Sequence, residues 1–231
     1  HPSQRILAEG HFSGPVQVSG GAGPGETVAA LHRAKHLSHH GEGLILFTTF
    51  TKSLTEALEQ DLRDLGANMS LVRIDNLDAL ANKLSREFGL VDGRLGLVEF
   101  TRKEEMALGL LENKIYEAGL QDTFSPEALM KEYRDVILEY DCQSEADYRH
   151  VPRTGQGYRL GKQQRAQIWA ILEAYEAELH GMGYKHLGKF YNELVHHLRA
   201  HPDKVPFRHI VADEIQDLGL IKLRMLRALA P

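Results

Sequence analysis

Between Val16 and Leu37 a short β-prone run, Val16 to Val18, leads into a glycine-rich turn that feeds a helical pattern, and few arrangements constrain a fold more tightly. The turn reads Gly20-Gly21-Ala22-Gly23-Pro24-Gly25-Glu26-Thr27, after which apolar Val28, Leu31 and Ala34 recur at helical spacing. A strand, a glycine turn and a helix in that order make a phosphate-binding loop. Backbone N–H groups face the polyphosphate and a helix N-terminus lies behind them. Gly20 and Gly25 hold the two glycine positions of GxxxxGK[ST], and Thr27 holds the hydroxyl position that meets magnesium.

Glu26 stands where the loop needs its lysine. A carboxylate about 4 Å from a phosphate oxygen is repelled by roughly 4 kcal/mol at an effective dielectric of 20. The lysine's charge-assisted hydrogen bond, worth about 1.5–3 kcal/mol, is lost as well. Pro24 removes a further backbone donor from the turn. The sequence therefore announces a nucleotide site and weakens it at the same place.

Strand and helix patterns alternate around this loop. Pro2 to Leu7 reads as a short helix start. Leu44 to Thr49 is a continuous β-prone run typical of a strand buried on both faces. Leu54, Leu58, Leu62 and Leu65 line one helix face, Leu71 to Ile74 is a further short strand, and Asp75 or Asn76 caps a helix running on to Phe88. Such alternation predicts parallel strands with helical crossovers, an α/β layered domain. After about Lys103 long helical stripes replace it: Leu129, Tyr133, Val136, Ile137 and Tyr140, then Ile168, Leu172, Tyr175 and Leu179, then Leu187 to Leu198. Trp169 and the aromatic residues on these stripes are expected in a core. β character returns at Phe207 to Ala212, followed at once by Asp213-Glu214-Ile215-Gln216-Asp217.

Two acids at the carboxyl end of an apolar strand, far downstream of a phosphate loop, supply what a nucleotide hydrolase needs. The first holds magnesium and the second accepts a proton from the attacking water. Alone, such a pair is an ordinary solvated strand end; beside the loop it points to chemistry.

These residues together resemble the N-terminal part of a UvrD/Rep-type superfamily-one DNA helicase. The resemblance rests on Pro2-Ser3-Gln4, similar to the family's Q motif, and on the loop with His32-Arg33 after it. It rests also on Leu46-Phe47-Thr48-Thr49-Phe50-Thr51, the second motif, and on Asp213-Glu214-Ile215-Gln216-Asp217, the DExQD signature. It implies a RecA-like P-loop domain with a parallel sheet, interrupted by a mostly helical inserted subdomain. The expected division is residues 1–104 for the first part of the motor domain, 105–200 for the insertion and 201–231 for the return.

Carried onto this sequence, the resemblance implies that ATP and Mg2+ are the family's cofactors. Gln4 reads adenine; Gly20, Gly21, Ala22, Gly23, Pro24, Gly25, Glu26, Thr27 and Val28 form the nucleotide loop; Arg33 supports the nucleotide or the neighbouring motif. Thr27 and Asp213 hold the metal, Glu214 is the catalytic base and Gln216 couples the γ-phosphate to DNA. Thr49, Phe50 and Thr51 lie near single-stranded DNA. The implied partner is single-stranded DNA or a DNA junction. This chain departs from the family at Glu26 and ends before the family's later arginine motifs, so it is expected to be poor in ATP binding and turnover. The alternative is a pseudo-helicase, a DNA- or protein-binding module without ATPase activity; a P-loop kinase or transport ATPase fits Gln216-Asp217 and the Thr48 to Thr51 stretch less well.

Composition narrows the partners. A net charge of −5 argues against wholesale attraction to nucleic acid, so contact must come from a local basic surface. The best local patch runs from Arg149 to Arg165, with Arg153 and Arg159 as phosphate contacts and Tyr148 and Tyr158 able to stack on bases. The histidines at 36, 39, 40, 196 and 197 lack matched cysteines or carboxylates and read as surface residues. The single Cys142 permits no internal disulfide and suits a reducing, cytoplasmic compartment. No apolar run approaches the ~18 residues of a membrane span, and a monomer is expected.

Overall fold

The computed structural model describes residues 2–12, 14–18, 25–49, 52–91, 95–152 and 160–230, without the side chains at positions 2, 3, 52, 53 and 217. In chain order the elements begin α1 (Pro2–Glu9), α2 (Gly25–His40), β1 (Leu44–Thr49), α3 (Lys52–Asp64), β2 (Val72–Asn76) and α4 (Leu77–Glu87). They continue β3 (Gly96–Leu97), α5 (Val98–Thr101), α6 (Glu104–Glu117), α7 (Pro126–Glu132), a π-helix (Tyr133–Leu138), α8 (Glu145–His150) and α9 (Lys162–Gly181). The last are β4 (Tyr184–Lys185), α10 (Leu187–Ala200), β5 (Phe207–Ala212) and α11 (Leu220–Leu229). Two compact units result, one of residues 1–84, 195–218 and 222–231, the other of residues 85–194 and 219–221.

The first unit is built on a parallel sheet of order β2-β1-β5. β1 is central, and its alternating faces are both covered, as its unbroken apolar run requires: Ile45, Leu46 and Phe47 have no exposed surface. On one side α2 and α3 bring Leu31, Ala34, Leu37, Leu58 and Leu62 against Ile45, Phe47 and Val211. Asn76 caps α4 by accepting a 2.8 Å bond from the Ala79 N–H, as its type and position predict. The expected strand at Val16 to Val18 does not form. Those residues carry no strand pairing, and Val16 and Val18 are 48% and 43% exposed. β propensity reports how well a side chain fits a neighbouring strand, and no described strand lies beside this run to supply ladder bonds.

The second unit is mostly helical, with β3 and β4 adding a two-stranded parallel bridge. The first two apolar stripes become its core: Leu129, Tyr133, Val136, Ile137, Ile168, Leu172, Tyr175 and Leu179 are all buried, with Trp169 packed against them. Tyr140, at the end of the first stripe, stays 41% exposed. The stripe also contains a turn the sequence pattern does not show, because Tyr133–Leu138 winds as a π-helix. The wider turn displaces the backbone ladder, and Asn192 Nδ2 satisfies the Leu138 carbonyl at 2.9 Å.

A buried polar hub ties this unit together. His186, with no exposed surface, lies between the Tyr175 hydroxyl at 2.6 Å from Nε2 and the Glu99 carboxylate at 2.8 Å from Nδ1. The second Glu99 oxygen accepts the Leu187 N–H at 2.9 Å and so caps the start of α10. Burial pushes the Glu99 carboxyl pKa up, but the His186 and Leu187 hydrogen bonds and the His186 charge outweigh it and leave the group below its usual value. Burial pushes the Tyr175 hydroxyl well above its usual value.

A carboxylate held below its unfolded value stabilises the fold above that value and loses the contribution as pH falls through the folded one. Urea unfolding followed by the fluorescence of Trp169 is therefore expected to show stability falling as pH drops below the model-compound value of 4.5. Glu99→Gln should remove that acid step and cost about 1.5–3 kcal/mol at neutral pH.

Candidate functional site

Parallel pairing decides which residues meet. Because β1 and β5 run the same way, their carboxyl ends share one edge of the sheet, and the Asp213 N–H extends the ladder by donating to Thr48 O at 2.9 Å. α2 packs on the sheet through Leu31, Ala34 and Leu37, which carries its first turn to that same edge. There the Thr27 hydroxyl donates to Asp213 Oδ2 at 2.9 Å across a sequence separation of 186. The late acidic pair and the end of the glycine turn are thus brought together. Glu26 lies half-buried in the first turn of α2, one residue before Thr27.

Glu214 follows with φ 57° and ψ 37°, a left-handed backbone that costs a non-glycine residue about 1–3 kcal/mol. The kink ends the strand and turns an exposed carboxylate away from the β5 axis. The Gln216 side-chain amide donates to that carboxylate. Strain and a local hydrogen bond together hold the two groups the sequence marks as base and coupler in direct contact.

Gln4 approaches from α1, its Nε2 donating to Gly25 O at 3.3 Å. Arg33 is engaged at the end of α1. Its Nη1 donates to Ala8 O at 3.3 Å and Gly10 O at 2.6 Å, and its guanidinium carbon sits 5.1 Å from the centre of the Phe12 ring. Val28 is 41% exposed on α2. Thr49, at the end of β1, is only 2% exposed, and its hydroxyl and that of Thr48 have no hydrogen-bond partner among the described residues. Gly20, Gly21, Ala22, Gly23, Pro24, Phe50, Thr51, Arg153 and Arg159 lie outside the described residues.

In the helical unit the described ends of the basic stretch take on structural duties. Tyr148 has no exposed surface and gives its hydroxyl to Glu132 at 2.7 Å, so it is not available to stack on a base. Arg165 donates to Tyr148 O at 3.0 Å and Arg149 O at 2.7 Å while lying 5.6 Å from the Tyr148 ring centre. It covers the carbonyls at the end of α8, where a cation is favoured. Arg149 pairs with Glu145 one turn earlier. Periodicity did not separate these roles because a capping arginine and a phosphate-seeking one look alike in sequence.

The donor set at the sheet edge suits a small, hard divalent cation. A hydroxyl and a carboxylate oxygen supply two positions of an octahedron, and magnesium usually keeps several of its ligands as water or phosphate. The polyphosphate side of the site fits less well, since a carboxylate occupies the helix N-terminus that would receive the anion. Two contacts had no motif to announce them, the Gln216 to Glu214 bond and the docking of Arg33 on α1. Gly10 and Phe12, just past the end of α1, are the sequence trace of the second.

Thr27→Val keeps the shape of the side chain and removes its hydroxyl. Chemical denaturation followed by circular dichroism should show a loss of about 1 kcal/mol. Combined with Asp213→Asn, the two losses should fall short of adding, because the partners share one bond.

No curated protein matches the chain. The family model described as UvrD/REP helicase N-terminal domain matches residues 1–231, the full length of the sequence. With the match spanning every element that builds the sheet edge, the chain belongs to the UvrD/REP helicase N-terminal domain family.

Proposed function

We propose that this chain is part of an ATP-dependent 3′-to-5′ DNA helicase of the UvrD/Rep kind, with a phosphate loop that handles ATP poorly. The observation that carries the reading is the 2.9 Å bond between Thr27 and Asp213, which joins the loop to the acidic strand end. In this proposal the sheet unit is the RecA-like part of the motor, and the helical unit of residues 85–194 is the subdomain inserted into it. Thr27 and Asp213 hold Mg2+, which when bound offsets phosphate charge. Glu214 takes the proton of the attacking water, and Gln216, already bonded to it, links that step to the DNA side. Gln4 reads the base, since a side-chain amide offers both a donor and an acceptor to the adenine edge. Single-stranded DNA or a DNA junction runs past the end of β1, where Thr49 leads into Phe50 and Thr51. Phosphates follow Arg153 and Arg159.

Glu26 sets the limit on activity. In the first turn of α2 a carboxylate gains about 0.3–1 kcal/mol from the helix dipole. It thereby stabilises the start of α2 by supplying the negative charge that a phosphate would bring. ATP must then overcome repulsion at the one place where the fold attracts anions.

With Mg2+ present the unaltered chain should give no ATP-dependent rise in unfolding temperature, and Glu26→Lys combined with Pro24→Thr should restore one. A clear shift with the unaltered chain would overturn the account of Glu26. If the double substitution restores no binding, the pseudo-helicase reading takes its place, a module that binds DNA or protein without turnover.

A further inference from the structure

α1 is fastened to α2 at two separate points. At its start the Gln4 amide meets Gly25 O at 3.3 Å; around its end Arg33 holds both Ala8 O at 3.3 Å and Gly10 O at 2.6 Å. The two points are about 9 Å apart along α1 and about 12 Å apart along α2, taking 1.5 Å per helical residue. A single contact would leave α1 free to slide or roll on its neighbour. Two contacts on opposite ends remove both motions and fix where the Gln4 side chain stands.

The Arg33 end admits little variation, since a Cβ on Gly10 would come within 2.5 Å of Ile6 O and 2.9 Å of the Phe12 ring. A Cβ on Gly25 would meet only the movable end of the Gln4 side chain, 2.9 Å from Nε2. The Arg33 end uses what arginine alone combines: donors for carbonyls at a helix C-terminus and a flat face for the Phe12 ring. A lysine would keep the charge and lose the face. The resemblance places Arg33 among the nucleotide contacts, whereas its guanidinium is engaged on α1.

We infer that Arg33 is a positioning residue, which locks α1 so that Gln4 stands in register with the phosphate loop, and that adenine preference depends on it without its touching the nucleotide. The inference rests on the proposed role of Gln4 as base reader. Its structural half stands independently of that role.

Two measurements test it. In the unaltered chain and in Arg33→Lys, amide hydrogen exchange is read by mass spectrometry over residues 5–10 and 29–38. The substitution should speed exchange in the first segment about tenfold and leave the second unchanged. Unchanged exchange over residues 5–10 would overturn the lock.

The second measurement uses the chain carrying Glu26→Lys and Pro24→Thr and compares ATP with inosine triphosphate, which lacks the 6-amino group. Arg33→Lys should weaken ATP about as much as Gln4→Ala does and weaken inosine triphosphate less, since inosine keeps N7 and loses only the amino donor, and the two substitutions together should add nothing. Equal weakening of both nucleotides would reduce Arg33 to a general structural support and overturn the positioning role. If Gln4→Ala leaves the preference unchanged, or neither nucleotide binds, the base-reading role of Gln4 fails. The positioning role falls with it, and the exchange result then decides the lock alone.

Discussion

One hydrogen bond, from the Thr27 hydroxyl to the Asp213 carboxylate, holds together what the chain keeps far apart. It exists because β1 and β5 are parallel neighbours, so that residues following each strand emerge on the same edge, and because α2 packs its apolar stripe over that sheet. Antiparallel pairing would send Asp213 to the opposite edge. The site is thus a consequence of strand direction first and of side-chain chemistry second.

Around that bond the local backbone is arranged at some expense. Glu214 occupies a left-handed conformation without being glycine, and its carboxylate is held by Gln216 two residues on. Strain of this kind persists where the surroundings impose it, here the end of a buried parallel strand whose next N–H is still engaged in the ladder. Glu26 works in the other direction. It suits the helix it begins, where the dipole favours a carboxylate in the first turn.

The helical unit shows a different solution to burial. Its core contains charged and polar groups that would be costly alone, and several are matched: His186 between Glu99 and Tyr175, Tyr133 on Glu176 at 2.6 Å, Tyr148 on Glu132. Lys189 adds a 3.1 Å contact to the second oxygen of Glu176. Such a network is directional where apolar packing is not, so it fixes the mutual placement of α5, α9 and α10 within the unit. Arg165 over Tyr148 and Arg33 over Phe12 repeat one device, an arginine that covers the last carbonyls of a short helix while lying on an aromatic face.

Much of this was determined by the sequence alone. Unbroken apolar residues from Leu44 to Phe47 could only be a strand covered on both faces, the spacing of Ile168, Leu172, Tyr175 and Leu179 could only be one helix face, and Asn76 stood where a cap was needed. Thr27 and Asp213 were legible as candidates too, because spacing and residue type are local properties written directly in the chain. Only the tertiary structure decided that Val16 to Val18 would find no strand partner, that Tyr133–Leu138 would widen into a π-helix, and that Tyr148 and Arg165 would be used internally. It alone turned Arg33 toward α1. In each case the outcome depends on a neighbour distant in sequence, and a hydrogen bond or a ring contact has no periodicity by which to announce itself.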